Sequence, residues 1–123
     1  MKISEYFKTA KGRGVLATAD AGGAVNAAVY AIPHVIDEKT IAFLMAERLT
    51  HHNLQSNSKA AYLFMEEEEK YKGCRLYLTK IKEEKDSEIL ESIRRRKYAD
   101  LQGKEYLVYF QVDKILPLIG EGR

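Results

Sequence analysis

The chain has 123 residues, with 20 Lys and Arg against 18 Asp and Glu and a net charge of +2. That length suits one domain, residues 1–123, able to bury about two-thirds of its unfolded surface without a covalent staple. The charge balance excludes the strongly basic footprint of a nucleic-acid binder. A lone cysteine, Cys74, excludes an internal disulfide and a multi-cysteine zinc site.

No apolar run approaches the roughly 20 residues a membrane-crossing helix needs. The first eight residues lack the apolar core of a signal peptide, so the expected location is the cytoplasm. The acidic run 66–69 and the basic run 94–97 are expected to be solvated faces or loop tips, not partner sites.

In chain order, Ser4 can cap a short helix carrying Tyr6, Phe7 and Ala10, with Gly12 or Gly14 ending it. Residues 15–19 form a strand, and Asp20-Ala21-Gly22-Gly23 is a hairpin turn because glycine supplies positive φ. The return strand covers 24–32 and stops at Pro33, which has no N–H to donate. After a turn at 37–39, the apolar stretch 40–45 is a buried strand. A helix over 50–57 follows, and then a strand over 60–65.

Residues 72–83 alternate, with Cys74, Leu76 and Leu78 on one face and Arg75, Tyr77 and Thr79 on the other. Asp86 or Ser87 caps a helix with an Ile89, Leu90, Ile93 stripe and a basic last turn that suits the helix dipole. Strands over 105–112 and 116–119 close the chain. Six or seven short strands joined mostly by hairpins predict a mainly β fold: a small antiparallel β-barrel with flanking helices.

The junction "AERLTHHNLQSN", residues 46–57, holds the densest chemistry. With Thr50 as N-cap, the N–H groups of His51, His52 and Asn53 would lack intrahelical acceptors. The helix dipole adds positive charge there, which makes an anion pocket. Arg48 could reach it from the preceding loop, and both histidines can donate. The plainer reading is a cap with two solvated histidines, and these twelve residues alone favour it.

A metal site is disfavoured, since neighbouring helical positions point about 100° apart, and His34 has no local support as a third ligand. The strand 25–31 carries Ala27, Ala28 and Ala31, poor strand formers whose small side chains admit a flat ligand or an opposing strand equally well. Gly12-Arg13-Gly14 precedes a strand and lacks a third glycine, so it is no dinucleotide fingerprint. Neither a phosphate-binding loop nor a serine elbow occurs. No catalytic side chain is assigned.

Residues 14–65, "GVLATADAGGAVNAAVYAIPHVIDEKTIAFLMAERLTHHNLQSNSKAAYLFM", resemble the N-terminal half of the split-barrel flavin-binding proteins related to pyridoxamine 5′-phosphate oxidase. The likeness lies in layout. A first hairpin and Tyr30 after the second strand lead to an apolar strand, a basic and hydroxyl cluster, then Asn53-Leu54 and Asn57. Gly73, the long strand, the Asp-led helix and the final strands extend it over nearly the whole chain.

The resemblance implies a homodimer with flavin mononucleotide (FMN) at its interface and an electron partner that is a small molecule or a redox protein. Phosphate contact falls to Arg48, Thr50 and His51. Ring or ribityl contact falls to Asn26, Ala27 and Ala28, and to Leu44, Met45 and Ala46. Two features depart from the family: Leu49 and Thr50 stand where a lysine is frequent, and Ser58 follows Asn57 where proline is frequent. The second strand also lacks the Arg and Lys of true pyridoxamine phosphate oxidases, so that activity is not expected. The alternatives are a barrel of the same fold holding another planar or anionic ligand, such as haem or a deazaflavin, and a non-catalytic interaction domain.

Overall fold

The computed structural model describes residues 1–68, 70–85, 88–97 and 105–120, with the backbone alone for 94–97. Its elements are α1 (Ile3–Thr9), β1 (Gly12–Ala19), β2 (Val25–Tyr30), β3 (His34–Asp37), β4 (Thr40–Met45), α2 (Leu49–Ser56), β5 (Lys59–Glu66), β6 (Gly73–Glu84), α3 (Glu88–Lys97) and β7 (Tyr106–Pro117).

The seven strands form one sheet in the order β2-β1-β5-β6-β7-β4-β3, and every pairing is antiparallel. β2 and β3 lie at opposite edges, yet only residues 31–33 join them. A flat sheet cannot satisfy that link, because three residues span only about 10 Å. The sheet therefore curls until its edges meet. Register shifts in the β6–β7 ladder between Tyr77 and Leu78 and between Lys80 and Lys82 supply the kind of bulge that bends long strands. Across the seam, Tyr30 packs edge-on against Phe43, with ring centroids 5.7 Å apart. The fully buried Tyr62 donates its hydroxyl to the Ala31 carbonyl at 2.8 Å.

Alternation along each strand puts one set of apolar side chains inside the barrel. Leu16, Ile41, Phe43, Met45, Tyr62, Phe64, Leu76, Leu78, Val108 and Phe110 fill it. Ile3 and Phe7 of α1 and Leu54 of α2 join the same core. A second cluster lies outside the barrel, where Leu90 and Ile93 of α3 cover Ala42, Leu107 and Tyr109. β4 is therefore buried on both faces.

Several expectations shift. α1 has Lys2 at its N-cap, with no side-chain cap bond. Ser4 lies inside the helix, and its N–H reaches Glu38 Oε1 at 3.4 Å. Gly12 and Gly14 do not end the helix but open β1. At Gly14 a Cβ would overlap the Tyr62 phenol, so the missing side chain makes room for that ring.

β3 is an additional strand, whose short, bulged ladder left no alternating pattern to read. The two closing strands are a single strand, β7. Asp113 and Lys114 look like a turn but are exposed positions on a strand paired with β6 through Cys74↔Pro117. The Asp86 or Ser87 cap lies outside the described residues.

Candidate functional site

α2 begins one residue earlier than its composition suggests. Arg48 is the N-cap, with φ −132° and ψ −164° and no side-chain cap bond. The His52 N–H donates to the Arg48 carbonyl at 2.9 Å, closing the first turn. Thr50 is thus not the cap, and His52 and Asn53 have no free N–H to offer. The main-chain donors that the helix leaves without intrahelical acceptors are those of Leu49, Thr50 and His51.

Thr50 is only 4% exposed, and its hydroxyl is committed sideways. It accepts a hydrogen bond from Asn26 Nδ2 at 3.3 Å and lies near the phenol of Tyr30. Burial raises the pKa of that phenol, with the Thr50 hydroxyl and the nearby Arg48 charge acting the other way. Tyr30 therefore remains a neutral hydroxyl. The α2 start and the β2 strand, 24 residues apart in sequence, are joined through the Asn26–Thr50 hydrogen bond.

The rest of α2 fastens it across the barrel end. Asn53, buried, donates to Thr18 Oγ1 on β1 at 3.1 Å. On the opposite side His51 turns inward, 6% exposed, and stacks on Tyr106 with ring centroids 4.1 Å apart and planes at 16°. Its Nε2–H donates to Glu83 Oε2 at 3.0 Å.

Glu83 also accepts from Lys80 Nζ at 2.7 Å and Gln55 Nε2 at 3.0 Å. Burial pushes the Glu83 carboxyl up, but the bonds from Lys80, Gln55 and His51 outweigh it and hold the pKa at about 2. The His51 ring is therefore engaged with β6 and β7, and what it can give a ligand is its N–H. His52, one position on, is exposed.

The expected site residues thus divide. Asn26, Arg48, Thr50 and the His51 backbone gather at the start of α2. On β2, Asn26 and Ala28 alternate with Ala27, which lies on the exposed outer face. Leu44 packs against the α3 cluster and Met45 is 1% exposed in the barrel core. Met45 thus offers a ligand only backbone, Leu44 is half-buried, and Ala46 is exposed.

Tyr30, Glu83, Gln55 and Tyr106 join the site beyond the residues expected there. Tyr30 was legible, since it lies four residues after Asn26 and so on the same strand face. Glu83 and Tyr106 come from distant strands and left no local signal. Cys74 is buried, and burial, aided by Glu66, pushes its thiol up to about 11, unsuited to nucleophilic work. Among the described residues no three His, Cys, Asp or Glu side chains are placed to hold a metal ion, and no helix is long and apolar enough to cross a membrane.

These features define a split barrel of the type found in FMN-binding proteins. Among solved structures, an FMN-binding protein from Syntrophomonas wolfei superposes with a TM-score of 0.81 over 98% of this chain and 86% of its own, at 21% identity. A single-residue variant of HupZ from Group A Streptococcus gives 0.75 over 94% and 98%, at 19% identity. HutZ, the haem storage protein of Vibrio cholerae, gives 0.68 over 94% and 91%, at 21% identity. No protein-family model and no curated protein sequence matches the chain.

Proposed function

We propose that the protein is a cytoplasmic homodimer that binds FMN and works as a flavin-dependent oxidoreductase or electron-transfer protein. Its electron partner would be a small molecule or another redox protein. The observation that carries this reading is the Asn26–Thr50 hydrogen bond, with Tyr30 nearby, which sets a helix start beside an alanine-rich edge strand. Similarity to an FMN-binding protein over 98% of the chain supports it.

The donor set suits a phosphomonoester. The N–H groups of Leu49, Thr50 and His51 point out of the helix start, where the dipole favours an anion. Arg48, exposed beside them, supplies the full charge that a lysine would otherwise give. Tyr30 can donate a neutral hydrogen bond, and the small side chain of Ala28, on the same strand face as Asn26 and Tyr30, lets a flat ring approach β2. When bound, flavin supplies the one- or two-electron chemistry, and the chain binds, orients and shields it.

For the homodimer, the outer face of β2, β1, β5 and β6 is the surface that fits. Val25 and Val29 are 84% and 79% exposed there. A cleft of about 320 Å³ beside them is lined by Val15, Ala17, Ala61, Leu63, Arg75 and Tyr77. An apolar face of this extent is a mark of an interface.

A haem-type ligand is the second reading, favoured by the likeness to HutZ and by the exposed nitrogen donor of His52. The test is the visible spectrum of purified protein before and after loading with FMN, or in parallel with haemin, followed by desalting. Retained flavin bands that weaken in Arg48→Ala support FMN and the phosphate position. Haemin bands without flavin bands move the assignment to the second reading, and a colourless protein in both removes each.

A further inference from the structure

The His51–Glu83 contact joins a buried histidine at the edge of the core to a half-buried carboxylate, and the two groups satisfy each other at 3.0 Å. We propose that Glu83 is a positioning residue for the anion site. Acting through His51, it fixes the first turn of α2 so that the phosphate-bearing flavin is preferred over the same ring without phosphate. The inference rests on the FMN reading above.

The geometry is specific to the first turn. His51 contributes the third of the outward N–H groups, so its ring and the proposed phosphate donor share one residue. The ring is held in two directions: Tyr106 fixes its plane by stacking, and Glu83 fixes its rotation through the 3.0 Å bond. Gln55 ties the same carboxylate to the helix a turn later, donating to Glu83 Oε1 at 3.0 Å and to the His51 carbonyl at 2.9 Å.

Lys80 neutralises Glu83 from β6 at 2.7 Å. The carboxylate is thus occupied on its own strand and by α2, which leaves it a brace and not a repulsive charge facing an anion. On the other flank Asn53 pins α2 to Thr18. With both flanks fixed, the three N–H vectors converge without reorganisation when a ligand arrives, which is how preorganisation raises affinity.

The experiment measures dissociation constants for FMN and riboflavin by flavin fluorescence in wild type, Glu83→Ala, Glu83→Gln and His51→Phe. Circular dichroism melting follows the fold of each. The expected result is that Glu83→Ala and His51→Phe weaken FMN by about five- to tenfold, the range of helix-terminus effects, and leave riboflavin unchanged. Glu83→Gln keeps an acceptor oxygen for the His51 N–H and restores most of the FMN affinity.

An unchanged ratio of FMN to riboflavin affinity in Glu83→Ala, with a lowered melting temperature, overturns the inference and makes the pair a brace of the fold alone. If Glu83→Ala does not fold, His51→Phe, which keeps the aromatic stack, decides by the same ratio. Wild type that binds neither flavin overturns the FMN reading and this inference with it. Wild type that binds both equally overturns the phosphate preference alone.

Discussion

Tyr62→Phe removes a single oxygen from the point where the barrel closes. The hydroxyl lies in a fully buried side chain and donates to the Ala31 carbonyl at 2.8 Å, with the Tyr30 carbonyl at 3.3 Å. Without it, the Ala31 carbonyl at the β2–β3 crossing loses its protein donor, which costs about 0.5–1.5 kcal/mol, the net worth of one hydrogen bond. The vacated space is smaller than a methyl group and adds little.

For a chain of this size that corresponds to a fall in melting temperature of about 2–6 °C. Urea unfolding followed by circular dichroism reads it as a lower midpoint with unchanged slope. A loss under about 0.5 kcal/mol would refute the reasoning, because an ordinary exposed tyrosine hydroxyl costs no more than that. Gly14→Ala should be worse than Tyr62→Phe. Its Cβ overlaps not only the Tyr62 hydroxyl but the ring carbons Cζ and Cε1, which the phenylalanine keeps.

Two further outcomes follow from the geometry. The Glu83 carboxyl has its pKa lowered to about 2 in the folded protein, so its contribution to stability is complete above the unfolded carboxyl pKa. It is lost as pH falls through that value toward 2. The difference in urea midpoint between wild type and Glu83→Gln should therefore be constant between pH 6 and 8 and shrink below pH 4.5. A gap that grows with acidity would contradict the ion-paired arrangement. Val29→Lys, at an edge-strand position 79% exposed, should leave the chain folded by circular dichroism. It should convert a species of twice the 14.0 kDa chain mass to one of single mass in light scattering. Wild type already at single mass would remove the dimer.

The barrel was legible because its strands alternate. Cys74, Leu76 and Leu78 predicted one face of β6, and the Gly22-Gly23 turn fixed the first hairpin. β3 was not legible, since four residues after Pro33 with a bulge carry no period. β7 appeared as two strands because Asp113 and Lys114 face solvent in mid-ladder. At the site, the residue types pointed to the α2 start, but its cap and first turn were displaced by two positions because Arg48 caps it without a side-chain bond. Sequence could not say which of His51 and His52 turns inward. That depends on Tyr106 and Glu83, brought to α2 only by the β6–β7 pairing, and long-range pairing leaves no local trace.

The three-residue link between β2 and β3 has a consequence for motion. The seam it spans is closed, among the described residues, by covalent chain, by rings and by the Tyr62 hydroxyl, with no strand ladder across it. Widening it therefore breaks no backbone pairing, whereas parting β6 from β7 would break a ladder that runs from Cys74↔Pro117 to Glu84↔Leu107. Amide hydrogens on β2 should exchange before those on β6, and the looser line runs beside the start of α2. The barrel is thus most easily opened along the side where the helix offers its unpaired donors.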